Sequence, residues 1–151
     1  MTQTVHELRD DDIEALLHEE VVGRVAFVDR LGRPNIVPIA YAYDGRSVFG
    51  YSLLGAKLDA MAGNPYVCVE IDRVEDMANW RSVVLRGVYE PLSGAAANDA
   101  VAMIADRLRT VARAGSASRA AGQTYVERAG GPGIAYRIRI TTRHGRRSSS
   151  L

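Results

Sequence analysis

The sequence predicts a mainly β fold: six antiparallel strands closing into a small barrel, with short helices at its flanks. Three observations carry this. Runs rich in β-branched and aromatic residues recur six times within 151 residues. Tight-turn signals join the early runs, Leu31-Gly32-Arg33-Pro34 and Asp44-Gly45, and connections this short demand antiparallel pairing. A chain of this length forms one domain, and six strands in so small a unit lose their exposed edges most readily by closing.

Each element follows from local chemistry. Residues 10–20 read as a helix, with Asp10, Asp11 and Asp12 supplying a cap and favourable charge at its start. Ile13, Leu16 and Leu17 make one apolar stripe. Strands follow at 22–29, 35–43 and 47–52. Pro38 lies inside the second of them, which marks an edge, a bulge or a break in pairing. Leu58 and Met61 are spaced for a short helix that stops at Gly63-Asn64-Pro65. Residues 66–72 and 80–92 read as strands, the longer one kinked at Gly87. Ala97, Val101, Ile104, Ala105 and Leu108 form the apolar face of a third helix over 94–113. Residues 114–131 read as a loop and 134–141 as the last strand. The domain is expected to span 1–142, with 143–151 a flexible basic tail. Val37, Ile39, Tyr41 and Tyr43 share one face of the second strand, yet Ile36, Ala40 and Ala42 on the other are apolar too. Such a strand wants cover on both faces, which predicts a homodimer.

Composition excludes several classes. Hydrophobic residues are 47% and charged residues 25%, which is globular composition with no disordered or fibrous bias. A net charge of +1 gives no global field toward nucleic acid or membrane. No apolar run approaches a bilayer span, and the polar, acidic opening is unlike a secretory signal, so a cytoplasmic location is expected. One cysteine, Cys68, permits neither an internal disulfide nor a Cys-based zinc site, and it reads as a small hydrophobe in a strand. His6, His18 and His144 have no ligand spacing, and no metal is expected. No nucleotide-binding or hydrolytic motif is present.

Three stretches could carry chemistry. At Tyr51-Ser52 a strand ends, and a helix begins near Lys57, the only lysine beside 18 arginines. A lysine in a first helical turn is misplaced with respect to the helix dipole. Either it points to solvent or a bound phosphate offsets the misplacement, assisted by the free N–H groups of the helix start and by Ser52. Trp80, Arg81 and Ser82 open the long strand. They serve either as a strand-end anchor with polar neighbours or as contacts to a planar, phosphorylated ligand. Val37-Pro38-Ile39 leaves backbone groups free, for a ligand edge or simply at a sheet edge.

Together these stretches resemble the flavin-binding split barrels related to pyridoxamine 5′-phosphate oxidase, nearest the branch of nitroimidazole-resistance proteins. The resemblance runs from about His6 to Leu92, with Ile134 to Thr141 as the last strand. Its most specific part is Tyr51-Ser52-x-x-Gly55-x-Lys57, followed by Asn64-Pro65-x-Val67-Cys68 and Trp80-Arg81-Ser82-Val83 ending in Gly87. Val22-Gly23-Arg24-Val25-Ala26 followed by Gly32-Arg33-Pro34 fits as well. The resemblance implies a six-stranded antiparallel split β-barrel holding FMN at a homodimer interface. Ser52 and Lys57 would then take the phosphate. Val37, Pro38 and Ile39 would lie along the isoalloxazine ring and offer it backbone groups. Tyr51 would sit near the ring or ribityl chain, Ser82 would contact the flavin, and Arg81 would have a phosphate role. The oxidase proper carries an arginine near Asn35, and several nitroimidazole-type relatives carry histidine where Tyr51 stands; this chain has neither.

The implied activity is an FMN-dependent oxidoreductase acting on a small-molecule acceptor, with NAD(P)H as donor. The alternative is a deazaflavin- or haem-binding split barrel, or a flavin-binding protein without turnover. No general acid or base stands out, which agrees with chemistry centred on a cofactor.

Overall fold

A computed structural model describes residues 4–112 and 133–149. In chain order the elements are β1 (Thr4–Glu7), α1 (Asp10–Glu19), β2 (Val22–Val28), β3 (Pro34–Ala40), β4 (Ala42–Tyr43), β5 (Ser47–Leu53), α2 (Ala56–Gly63), β6 (Tyr66–Asp76), β7 (Asn79–Pro91), α3 (Gly94–Ala112) and β8 (Gly133–Ser149). The mainly β, antiparallel architecture agrees with expectation, with eight strands among the described residues rather than six. The loop expected at 114–131 lies outside the described residues.

The sheet runs β3-β2-β6-β7-β8-β5-β4, with β1 added along β8. Its two ends are consecutive pieces of one chain segment. β3 pairs with β2, and after Tyr41 alone the chain continues as β4, which pairs with β5. The strand expected over 35–43 is therefore two half-strands that join opposite ends of the sheet and close it as a barrel.

β8 is the spine. Tyr136 to Ser148 pair with β7, Gly133 to Arg139 pair with β5, and Arg146 to Ser149 pair with β1. The tail expected at 143–151 is thus strand through Ser149. Inward positions there are small. Gly145 packs under Leu8 and Ile13, and Ser148 is buried. Arg143 pairs with Glu14 of α1. The expected irregularity at Gly87 is a register shift between Arg86 and Gly87, where a Cβ would come within 2.6 Å of the Arg139 carbonyl oxygen.

Alternation fills the barrel. Val67, Val69 and Ile71 of β6 and Val83 and Leu85 of β7 point inward and are buried, and α1 closes one part of the core with Ile13, Leu16 and Leu17. The three aspartates of α1 act only as charges at the helix start, because Arg9 is the N-cap and no side chain caps it. Leu58 and Met61 of α2 join the same core. α3 covers the second face of the Tyr41 corner: Ile104 and Leu108 pack on Ala42, with Ala40 and Phe49 beside them. Part of the cover expected from a second subunit is therefore internal.

Candidate functional site

The barrel is open at one seam. β4 pairs with β5 only at Ala42–Phe49 and Tyr43–Val48. Continued, that register would set Ile39 opposite Ser52 and Pro38 opposite Leu53. Instead β3 turns away to β2, and its outer edge faces the end of β5 unpaired. The corner is fixed by Tyr41, whose N–H donates to Val21 O at 3.0 Å and whose buried hydroxyl donates to Leu17 O at 2.8 Å. Burial raises that hydroxyl's pKa and keeps it a neutral donor.

The Tyr41 N–H also sets which groups line the seam. Backbone groups alternate in direction along a strand, so those of Val37 and Ile39 turn toward β2 with that of Tyr41. The open edge is left to Ile36, Pro38 and Ala40. Pro38 occupies a position where its missing N–H costs the β2–β3 ladder nothing. Ile39 is buried and Val37 packs on the core, while Pro38 is exposed. The free backbone groups expected from Val37-Pro38-Ile39 are thus those of Pro38 and its neighbours Ile36 and Ala40.

Across the seam, Ser52 is buried and its Oγ has no hydrogen-bond partner among the described residues. Tyr51, on the other face of β5, is half-buried and lies over Gly133, where a Cβ would collide with its hydroxyl. Lys57 stands in the first turn of α2, whose N-cap Gly55 offers no side-chain cap. Lys57 is half-buried and makes no ion pair among the described residues. Burial pulls its pKa below the usual lysine value. A buried hydroxyl, an uncapped helix start and a desolvated cation thus follow one another along residues 52–57, donors of the kind an anion accepts from.

Arg81 and Ser82 lie elsewhere. Ser52 pairs with Ile134 and Ser82 with Arg146, twelve positions further along β8, roughly 40 Å of extended strand. Ser82 faces outward and donates to Glu70 Oε1 at 3.1 Å. Arg24 joins that group at 3.4 Å from Glu70 and 3.6 Å from Asp72, and Arg24 is the cross-strand neighbour of Pro38. Burial, and then the adjacent Asp72, raise the Glu70 carboxyl pKa. Arg81 approaches Glu19 at 3.7 Å, and Arg73 also pairs with Glu19 and with Glu20. Pro38, Ile39, Tyr51 and Ser52 thus belong to the two sides of the seam and Lys57 follows in the first turn of α2, while Ser82 lies twelve positions from Ser52 along β8 and three strands across from Pro38.

Sequence reasoning missed Tyr136. Its alternation within IAYRIRIT marks it as inward, but that its buried hydroxyl would lack a partner beside Ser52 depends on three-dimensional packing. It also missed the Arg24–Glu70–Asp72 group, whose members are scattered in the sequence and meet only by strand register.

Comparison with known proteins agrees with this architecture. The family described as pyridoxamine 5′-phosphate oxidase matches residues 9–147. An uncharacterized protein of Rhizobium meliloti is 36% identical over 87 residues, which span 53% of this chain and 58% of that protein. The crystal structure of a FAD-binding protein from Mesorhizobium loti superposes with a TM-score of 0.71 at 27% identity, covering 99% of this chain and 100% of the other. HutZ, the haem storage protein of Vibrio cholerae, shares the fold with a TM-score of 0.70 at 13% identity, over 88% of this chain and 90% of that one. By its sequence match across nearly the whole chain, this protein belongs to the pyridoxamine 5′-phosphate oxidase family.

Proposed function

We propose that this chain binds FMN at the seam between β3 and β5 and serves as a flavin-dependent oxidoreductase for a small-molecule acceptor. The observation that carries the reading is the succession of the buried Ser52 hydroxyl near the end of β5 and half-buried Lys57 in the first turn of α2, neither of them partnered among the described residues. Both are satisfied by one phosphate. The open edge of β3 at Ile36 and Pro38 supplies backbone groups for the polar edge of a flat ring, and Tyr51 flanks the space between. When bound, the flavin supplies hydride or electron transfer; the residues here hold its phosphate and orient its ring. NAD(P)H fits as the reductant, and the membership of the family supports a flavin.

The reading includes a site completed by a second copy of the chain. The outer face of β3, β2, β6 and β7 exposes Ile36 at 62%, Tyr66 at 74% and Val84 at 40%. Exposed apolar residues set around the Arg24–Glu70–Asp72 group suit a homodimer interface, which would bring Ser82 of one protomer to the seam of its partner.

The test is spectroscopic. Purified protein titrated with FMN should shift and structure the flavin absorbance near the visible maxima, and NADH or NADPH should bleach it until an acceptor restores it. Lys57→Ala should weaken FMN roughly ten- to a hundredfold, the worth of one charge-assisted hydrogen bond. Riboflavin, lacking the phosphate, should bind wild type and variant alike. Equal affinity of the variant and wild type for FMN would overturn the phosphate assignment. A Soret band on reconstitution with haem, without flavin binding, would overturn the flavin reading.

A further inference from the structure

A second partnerless hydroxyl lies next to the Ser52 oxygen. Tyr136 is fully buried, and its Oη, like Ser52 Oγ, has no hydrogen-bond partner among the described residues. Gly50 pairs with Tyr136 and Ser52 with Ile134, so Tyr136 and Ser52 share the inner face of the β5–β8 pair, one diagonal step apart. A Cβ on Gly50 would collide with the Tyr136 hydroxyl and ring. The absence of a side chain there lets the phenol lie across β5. Tyr89 packs against the ring with centroids 5.4 Å apart and holds it in place. Ser52 bears on the Tyr136 hydroxyl as a hydrogen-bond partner would, although no bond of full geometry joins them. Buried hydroxyls are almost always satisfied, so two adjacent ones left open mark a place prepared for something else.

We propose that Tyr136 is a positioning residue of the phosphate site: its hydroxyl donates to Ser52 Oγ when the ligand binds, which turns the Ser52 hydrogen outward onto the anion. The inference rests on the phosphate reading given above. The logic is donor arithmetic. A serine hydroxyl has one hydrogen and two lone pairs. Ser52 can give that hydrogen to a ligand only if it is not spent within the barrel. Burial pushes the Tyr136 pKa up to about 12, so the phenol stays a neutral donor and supplies the complementary hydrogen. The relay runs one way, from Tyr136 to Ser52 to ligand. It therefore selects a ligand group that only accepts, as a phosphate oxygen does, over a neutral hydroxyl.

The test compares FMN and riboflavin binding by calorimetry in wild type, Tyr136→Phe, Ser52→Ala, the double variant and Lys57→Ala, with thermal melts of each ligand-free protein. Tyr136→Phe should weaken FMN three- to tenfold, the worth of a neutral hydrogen bond, and leave riboflavin unchanged. In the Ser52→Ala background it should have no further effect. The ligand-free Tm of Tyr136→Phe should not fall, because the hydroxyl removed makes no bond of full geometry among the described residues in that state. A lowered ligand-free Tm with both flavins weakened alike would make the hydroxyl structural and overturn the proposal. So would multiplicative effects of the two substitutions, or unchanged FMN affinity in Tyr136→Phe. If Lys57→Ala shows the FMN-specific loss and Tyr136→Phe does not, the Tyr136 proposal alone falls. If Lys57→Ala changes neither flavin, the phosphate reading falls with it.

Discussion

Lys57 illustrates how a residue can be poor for the fold and good for a ligand. Its half-burial depresses its pKa, so the ligand-free fold binds its proton less well than the unfolded chain does. Between the depressed folded value and the ordinary lysine value near 10.4, the unfolded state holds more protons. Stability of the ligand-free protein should therefore rise with pH through that window, and Lys57 contributes against stability below it. Lys57→Met should raise the Tm of the ligand-free protein at pH 7 and flatten the rise at alkaline pH. Bound phosphate reverses the sign, since an adjacent anion favours the charged lysine. FMN should then raise the Tm of wild type more than that of Lys57→Met; an equal rise in both would show that the ammonium does not meet the ligand. Lys57 could be singled out from sequence because it is the only lysine in an arginine-rich chain. Tyr136 could not, because an inward tyrosine in an alternating strand looks like any core aromatic until its hydroxyl is found without a bond of full geometry among the described residues.

At the scale of elements, legibility followed the contrast between inward and outward residues. β2, β5, β6 and the first half of β8 were readable because bulky β-branched residues alternate with smaller or polar ones. The second half of β8 was not. Its inward positions, Gly145 and Ser148, are small because Leu8, Ile13 and the added β1 crowd them, so Arg143 to Ser149 looked like a polar tail. β1 gave no signal for the same reason, with three of its four residues exposed. The break at Tyr41 was hidden because both faces of the segment are apolar, Ile39, Tyr41 and Tyr43 joining the barrel core and Ala40 and Ala42 meeting α3. The correction has a measurable consequence. Truncation after Thr142 would remove the outer part of the β7–β8 ladder, all of the β1 pairing and the Arg143–Glu14 pair. It should destabilise the domain by at least about 3 kcal/mol, a Tm loss of roughly 10 °C. An unchanged Tm on truncation would mean that these residues contribute nothing to the folded domain.

At the scale of the whole molecule, what matters is which chain's Ser82 serves each seam. Ser82 and Ser52 lie twelve positions apart along β8, so the proposed site draws on two regions of the sheet. A symmetric dimer solves this twice, since each seam would take Ser82 from the partner. The interface is expected to bury more than ~2,000 Å² if it is obligate, and the outward Arg24–Glu70–Asp72 group beside Ser82 would lie within it. Subunit mixing tests the arrangement more sharply than sedimentation alone. Homodimers of Lys57→Ala and of Ser82→Ala should each bind FMN weakly at both sites. In a hybrid of the two, one site draws wild-type Lys57 and wild-type Ser82 from different protomers, and the other carries both defects. Co-expression at equal levels should thus restore tight FMN binding to about a quarter of all sites, by random assortment of protomers into symmetric dimers. If each site instead took both residues from one chain, every site in every hybrid would keep one defect. No tight fraction would then appear on mixing, and the shared site would be excluded even for a protein that is dimeric in solution.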